Sequence, residues 1–166
     1  MALSYAMREY LAEIYRLQED EPKVSTTSLA ERLDVSAPAI PRMLKRLRNA
    51  GLVIHTPYEG VELTELGRRE ALQELRRHRT LEVFLVQVMG FTWDEAHDHS
   101  DDLGQGLNDK VTARMAEMTG YPTRCPHGEP SPILTACYPL STMFASSTWA
   151  LGSKGRSAAS EPMIQN

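Results

Sequence analysis

The sequence predicts a mainly α-helical protein with one small β-hairpin and an irregular C-terminal tail, and three observations support this fold class. Apolar residues recur at helical spacing along most of the chain up to residue 118, as in amphipathic helices. Two short apolar runs around Val53 and Val61 flank Tyr58-Glu59-Gly60, which is typical of two strands joined by a turn. After residue 133 the helical periodicity is lost.

Turn and capping residues set the expected bounds of each element. Pro22 ends the first helix, Gly51 ends the third and Gly90 ends the long fourth helix. Thr64 is expected to cap that long helix, with Glu65 in its first turn. In chain order we predict helices over residues 5–18, 27–33 and 36–50, then the two strands, then helices over residues 64–79 or on to 89, from 92 or 94 to 107, and 109–118.

The second and third helices are predicted to form a helix-turn-helix, with a tight turn at Asp34-Val35 and Ser36 as the N-cap of the third helix. With the hairpin that follows, this is the order of parts in a winged helix-turn-helix, which places one helix in a DNA groove and a hairpin beside it. The apolar residues expected to lock the two helices together are Leu29, Ala30, Leu33, Val35, Ile40, Leu44 and Leu47.

The distribution of charge agrees with a local contact to DNA and argues against a protein that is basic throughout. The formal net charge of the chain is −4, yet residues 24–58 contain five basic side chains and two acidic ones. Only the contacting face of a DNA-binding protein has to meet phosphate, so one basic patch on an acidic chain is sufficient. A solvated basic helix face is the alternative interpretation of this patch.

The expected DNA contacts lie at the start of the second helix and along the third. Arg42 is the best candidate for reading a base, because its guanidinium can engage guanine. Pro41 is expected to disturb the third helix, and Glu59 is unusual at a hairpin tip that should face phosphate. The predicted DNA-binding residues are Thr26, Thr27, Ser36, Ala37, Pro38, Ala39, Arg42, Lys45 and Arg46.

A set of nitrogen and oxygen donors on two consecutive helices predicts a metal site. His78 and Glu82 are four residues apart and share one helix face, and His97 opens a second such row on the next helix. Imidazole and carboxylate donors suit Mn²⁺, Fe²⁺ or Zn²⁺, and the lack of Cys or Met donors favours the harder ions. The alternative is a chance pattern on solvated helices. The predicted ligands are Glu9, His78, Glu82, His97, Asp101 and Gln105.

Nothing in the sequence predicts secretion or a membrane span. The N-terminus, MALSYAMREYL, lacks a charged region followed by an apolar run. The longest apolar stretch, residues 81–91, is interrupted by Glu82 and Gln87 and is too short to cross a bilayer. Two cysteines, Cys125 and Cys137, do not make a disulfide framework. We therefore expect a cytoplasmic protein without membrane contact.

Composition divides the chain into three predicted regions. Residues 1–72 are expected to form the DNA-binding domain, and residues 73–133 a second, all-helical domain. Residues 134–166 are rich in Ser, Ala, Gly and Thr and lack the periodicity of a folded domain. We predict that this tail is disordered.

Four segments that cover nearly all of residues 5–133 are REYLAEIYRL, SLAERLDVSAPAIPRMLKRLRNAGLV, GVELTELGRREALQELRRHRTLEVFLVQVMGFTWDEAH and YPTRCPHGEPSPI. In this order they resemble the diphtheria toxin repressor family of metal-activated repressors, which includes the manganese transport regulators. The resemblance implies a homodimer, built by the helices after the hairpin, that binds a palindromic double-stranded operator when Mn²⁺ or Fe²⁺ is present.

The resemblance also implies roles for the candidate ligands. Asp101, which stands where the family has Cys or Glu, favours Mn²⁺ over Fe²⁺. Gly104 and Gln105 replace a Glu-His pair of the family's primary metal site. The residues that match the ancillary site are His78, Glu82 and His97, and those that match the primary site in part are Glu9 and Asp101.

The leading hypothesis is a dimeric, metal-responsive repressor of metal-uptake genes that is not an enzyme. Gly104 and Gln105 motivate a second hypothesis, a metal-independent winged-helix dimer that binds DNA. A third, from the enzyme class, is a metal phosphohydrolase built around His97-Asp98 with the nearby Asp101.

Overall fold

The computed structural model describes residues 3–122, which are mainly helical with one two-stranded sheet, as predicted. The predicted tail over residues 134–166 lies outside the described residues, as do Cys125 and Cys137. The elements in chain order are α1 (Tyr5–Leu17), α2 (Thr26–Arg32), α3 (Ala39–Asn49), β1 (Val53–Thr56), β2 (Gly60–Leu63), α4 (Glu65–Gln87), α5 (Trp93–Gly104) and α6 (Asp109–Met118).

The first three helices and the hairpin share one hydrophobic core, which fixes the helix-turn-helix in place. Fully buried members of this core come from α1, α2, α3 and β2, and each removes an aliphatic side chain from water. Burying a Leu, Ile or Val side chain contributes about 1.5–3 kcal/mol relative to leaving it exposed. The leucine, isoleucine and valine members buried without measurable exposure are Leu11, Ile14, Leu29, Ile40, Leu44, Leu47 and Val61.

The hairpin is fixed to the body of the domain by a third short strand segment. β1 and β2 are antiparallel, and Val24, which precedes α2, pairs with Val61 of β2 through two backbone hydrogen bonds of 2.9 Å. Gly60 permits this approach, because its φ is +121° and an added Cβ would lie 2.7 Å from the Val24 carbonyl oxygen. The β1–β2 hairpin, which we call the wing, is therefore held close to the start of α2.

The long helix α4 belongs to both halves of the described structure. Thr64 caps it as predicted, with its Oγ1 accepting a hydrogen bond of 3.0 Å from the Gly67 N–H. Near its start Ala71 joins the first core, whereas Leu81 and Leu85 form a second core with Ala96 of α5. α1, α5 and α6 all pack against α4. The positions of these helices are therefore linked through one element.

The third helix begins at Ala39, so the prediction that it opens at Ser36 was wrong. The Ser36 carbonyl accepts a hydrogen bond of 2.8 Å from the Ala39 N–H, which closes a separate turn ahead of the helix. Pro38 occupies the N-cap position and makes no capping bond through its side chain. Pro41 consequently lies in the first turn, where a missing N–H removes no helical hydrogen bond. The expected disturbance by Pro41 was also wrong.

Several other predicted bounds also differ from the structure by one or more residues. α2 begins at Thr26, one residue early, because Ser25 Oγ accepts from the Ser28 N–H and caps the helix. α5 starts at Trp93, between the two predicted starts at 92 and 94, with Thr92 as its N-cap, and it ends at Gly104 and not at residue 107. Among the described residues, no helix is both long enough and apolar enough to cross a membrane.

Candidate metal centre and nucleic-acid interface

Three predicted ligands from α4 and α5 converge on one point. Nε2 of His78 lies 3.2 Å from Oε1 of Glu82, and Nδ1 of His97 lies 3.0 Å from the same oxygen. One donor atom from each of the three residues can be chosen so that all lie within 4.8 Å of one another. This spacing allows one ion to contact all three donors. We call these three residues the triad.

The sequence produces the triad through two simple devices. His78 and Glu82 are separated by one turn of α4, so their side chains project from the same face. A capping box starts α5, with Thr92 accepting from the Glu95 N–H and the Glu95 carboxylate accepting from the Thr92 N–H. This cap fixes the first turn of α5, and His97 follows directly.

The electrostatics of the triad favour a cation between its members. The Glu82 side chain is only 3% exposed, and burying a carboxylate is costly unless a positive partner compensates it. The hydrogen bond with Glu82 raises the pKa of His97 above its ordinary value, although burial of the ring opposes this shift. A proton on His97 therefore partly compensates the buried carboxylate, and a divalent ion can do so more fully.

The remaining predicted ligands divide into two that line the same cavity and one that does not. A cavity of about 490 Å³ beside the triad is lined by residues that include Glu9 and Asp101. Asp101 Oδ1 lies 3.7 Å from Nδ1 of His78. Burial, and then the carboxylate of Asp101, raises the pKa of Glu9. Gln105 is exposed at the C-cap of α5 and is not among the residues that line this cavity.

Two residues at this site carry no signal in the sequence. Tyr5 of α1 donates a hydrogen bond of 3.3 Å to the Asp101 carbonyl oxygen, and burial raises its pKa to about 12, with Glu9 and Asp101 adding to the shift. Its ring also covers Gly104, whose added Cβ would lie 3.7 Å from it. Ser100 is fully buried between the two histidines. Only the folded arrangement of α1, α4 and α5 reveals either role.

The predicted DNA-contacting residues lie around the helix-turn-helix, and most are exposed. Thr26, Thr27 and Ala37 line one groove between α2 and α3, together with Pro41. Ser36, Pro38, Arg42 and Lys45 are exposed, whereas Ala39 is half-buried. Arg46 is exposed but directs Nη2 to Sδ of Met7 at 3.9 Å, so part of its guanidinium faces α1.

An ion pair explains how an acidic residue, Glu59, is accommodated at the tip of the β1–β2 hairpin. Its carboxylate forms an ion pair with Lys23, which directly precedes the Val24 segment of the sheet. The neighbouring Tyr58 is fully exposed and has a φ of 66°, which is uncommon for an aromatic residue. The charge of Glu59 is therefore paired within the protein.

A winged helix-turn-helix followed by a helical domain with a His–Glu–His cluster defines a class of transcriptional regulators with a metal-binding domain. The chain belongs to the iron-dependent repressor family. Residues 2–61 match its N-terminal DNA-binding domain, and residues 64–133 match its metal-binding and dimerisation domain. This membership confirms the resemblance given by the sequence. The metal phosphohydrolase hypothesis was wrong, because the family consists of repressors and not of enzymes.

Individual relatives agree with this membership. The chain is 34% identical over 123 residues to the iron-dependent repressor IdeR of Mycobacterium tuberculosis, and 33% identical over 114 residues to an uncharacterized HTH-type transcriptional regulator of Methanocaldococcus jannaschii. These alignments cover 74% and 68% of this chain. They span 54% of the mycobacterial protein and 91% of the archaeal one.

Solved structures give the same result. A manganese-dependent transcriptional repressor in complex with manganese is 43% identical, with a TM-score of 0.72 over 77% of this chain. The manganese regulator SloR is 35% identical, with a TM-score of 0.69 over 80% of this chain. The matched parts are 59% and 61% of those two chains, so this chain spans little more than half of each.

Proposed function

We propose that this chain is a metal-activated transcriptional repressor of metal-uptake genes, which acts in the cytoplasm as a homodimer on double-stranded DNA. The observation that carries this proposal is the convergence of His97 of α5 on His78 and Glu82 of α4, the helix that also packs against the winged domain. The buried carboxylate of Glu82 lies beside two imidazole nitrogens, and a carboxylate with two imidazoles is a suitable donor set for a divalent ion.

The donor set favours Mn²⁺, with Fe²⁺ as the second choice. Two imidazole nitrogens and one carboxylate oxygen make up the triad, and neither a thiolate nor a thioether is among these donors. Such donors suit the harder divalent ions. A relative whose solved structure contains manganese supports this choice, whereas the name of the mycobacterial repressor supports iron. Glu9 and Asp101 stay predictions as additional ligands, and so does Gln105.

The winged domain supports binding to DNA through α3. Arg42 and Lys45 are exposed on this helix, and Thr27 is exposed at the start of α2. We propose that Arg42 reads a base edge while Lys45 and the threonines contact phosphates. Two copies with their α3 helices about 34 Å apart would reach successive major grooves of a palindromic operator.

The helical domain supports self-association. Its elements expose large apolar side chains, with exposed fractions between 42% and 57% for the five residues given below. Exposed apolar side chains of this size are typical of protein–protein contacts, and we propose that a second copy of the chain covers them. They are Val88, Met89, Leu103, Val111 and Met118.

The structure offers a route from metal to DNA. When bound, the ion supplies positive charge that draws the two imidazoles and the carboxylate together. His97 thereby fixes α5 on α4, and the Tyr5–Asp101 hydrogen bond extends this constraint to α1. Because α1 shares its core with α2 and α3, the orientation of α3 is biased by the state of the triad. A metal-independent dimer would leave the buried Glu82 cluster without a role.

The experiment is operator binding by the full chain at fixed salt, with Mn²⁺ and after its removal with a chelator. The DNA is a duplex selected by the Mn²⁺-loaded protein from a random pool. We expect the operator affinity to fall by at least about tenfold without metal, a coupling of about 1.4 kcal/mol. Equal affinities in the two conditions would contradict metal activation.

A further inference from the structure

We propose that Ser100 is a positioning residue of the metal centre, whose hydroxyl is held by the backbone carbonyl of His97 and orients the His78 ring so that Nε2 faces the ion. The proposal rests on the metal-dependent function proposed above. Ser100 is not a member of the triad and is not among the metal ligands predicted from the sequence. The basis of the proposal is the hydrogen bonding of one buried hydroxyl.

Ser100 lies on α5 without measurable exposure. Its Oγ donates a hydrogen bond of 2.8 Å to the carbonyl oxygen of His97. A hydroxyl has one hydrogen and two lone pairs, so this donation leaves only acceptor capacity on Oγ. The His78 ring lies next to these lone pairs, with Nδ1 at 3.4 Å and Nε2 at 3.5 Å. Ser100 can therefore accept a hydrogen bond from a ring N–H and cannot also donate one to the ring.

The remaining contacts decide which ring nitrogen faces Ser100. Nε2 of His78 lies 3.2 Å from Oε1 of Glu82, the same atom that His97 contacts. Nε2 is therefore the nitrogen that points to the centre of the triad. A histidine that binds an ion through one nitrogen carries its proton on the other, and a hydrogen bond to that proton fixes the ring. In His78 the Nδ1–H is therefore the group that donates a hydrogen bond to Ser100 Oγ.

Asp101 is the competing acceptor, and the geometry favours Ser100. The carboxylate Oδ1 of Asp101 lies 3.7 Å from Nδ1 of His78, farther than the 3.4 Å between this nitrogen and Ser100 Oγ. The Asp101 side chain is also 64% exposed, so water competes for it, whereas Ser100 is shielded from solvent. The position of Ser100, three residues after His97 on α5, lets its hydroxyl bond the His97 backbone carbonyl while its lone pairs face the His78 ring.

The first measurement is Mn²⁺ affinity and stoichiometry by calorimetry for the full chain, Ser100→Ala and Thr112→Val. Outer-shell partners of this kind change metal affinity by about 10- to 100-fold, so we expect Ser100→Ala to weaken Mn²⁺ binding by about 10-fold or more at unchanged stoichiometry. Thr112 is the matched control, because its buried hydroxyl donates to the Asn108 carbonyl of its own helix. Thr112→Val should bind Mn²⁺ as the unchanged chain does.

The second measurement separates positioning from a general loss of structure. In the Zn²⁺-loaded chain, a diamagnetic substitute, nitrogen-edited NMR should show a slowly exchanging Nδ1–H on His78. Ser100→Ala should lose this signal or speed its exchange while the metal-free melting temperature stays within a few degrees. If Ser100→Ala keeps both the signal and an affinity within twofold, or if only Asp101→Ala removes the signal, the proposal is overturned.

The outcome for the unchanged chain distinguishes the two proposals. Mn²⁺ binding with the expected Ser100 effect but without any effect on operator affinity would contradict the proposed function and leave the positioning role supported. Failure of the unchanged chain to bind Mn²⁺ or Zn²⁺ would contradict both. A fall in metal stoichiometry in Ser100→Ala would also overturn the positioning role, because an outer residue alters affinity and not the number of sites.

Discussion

Glu82 and His97 meet across two helices, with the carboxylate Oε1 3.0 Å from Nδ1 of the imidazole. Glu82 belongs to the helix that packs against the winged domain, and His97 belongs to the helix that follows. This contact is therefore the point at which a ligand can couple α4 to α5. It also places a buried negative charge where a cation should bind.

We expect Glu82→Gln to lower Mn²⁺ affinity by at least about 100-fold, because the neutral amide removes the one carboxylate of the triad. Calorimetric titration of the purified chain measures this change. Glu117→Gln is the control, since Glu117 pairs with Arg114 on the exposed face of α6. Mn²⁺ binding that survives Glu82→Gln unchanged would place the ion elsewhere.

For DNA reading, Arg42→Ala should weaken operator binding by about 1–3 kcal/mol and relax the preference for one base pair. Lys45→Ala, which removes the exposed lysine of α3 proposed to contact phosphate, should weaken selected and random duplexes about equally and lower the salt dependence. Competition binding with single-base operator variants distinguishes the two results. If Arg42→Ala lowered the affinity equally for all operator variants, Arg42 would contact phosphate only.

Alanine substitution is expected to have opposite effects on fold stability at two helical glycines, Gly67 and Gly104. An added Cβ at Gly67 would lie 1.9 Å from the Leu52 carbonyl oxygen, so Gly67→Ala should destabilise the fold by about 1–3 kcal/mol or more. At Gly104 the nearest atom to an added Cβ is 3.7 Å away, so Gly104→Ala should be neutral or stabilise by up to about 1 kcal/mol. Urea denaturation measures both, and equal effects would contradict this account of α4 packing.

The Arg77–Asp109 ion pair predicts a pH dependence of stability. Burial would raise the pKa of Asp109, but the hydrogen bond and charge of Arg77, with a further hydrogen bond from Gln73, lower it below its ordinary value. The pair therefore stabilises the fold above the unfolded pKa, about 3.9, and this contribution is lost as the pH falls through the lower folded pKa.

Melting temperatures of the unchanged chain and Asp109→Asn should accordingly differ at pH 7 and converge only once the pH is below the lowered folded pKa of Asp109. Asp102→Asn, at an exposed position of α5, serves as the control and should follow the unchanged chain throughout. A difference that grows on acidification would contradict the sign of the Asp109 shift.

Local patterns predicted the elements and the triad. The i, i+4 spacing of His78 and Glu82, the Thr64 cap and the hairpin around Gly60 each depend on neighbours in sequence, and the structure places them as expected. The start of α3 was predicted wrongly, although its cause is also local. Ser36 is a good N-cap residue, but its carbonyl closes a turn that delays the helix to Ala39.

Features that depend on distant contacts could not be predicted. Lys23 neutralises Glu59 only because the segment before α2 adds to the hairpin. Tyr5 reaches Asp101 only because α1 packs on α4, which brings both residues to the wall of the same cavity. Ser100 looked like an ordinary helix residue, and its role follows from burial between two histidines.

The most direct test of metal activation is an operator-binding titration with Mn²⁺, run on the unchanged chain and on Glu82→Gln at the same salt concentration. The account predicts that operator affinity of the unchanged chain rises by at least about tenfold as Mn²⁺ fills the triad, and that Glu82→Gln shows no rise over the same range. Parallel curves for the two proteins, or an affinity independent of Mn²⁺ in both, would contradict it.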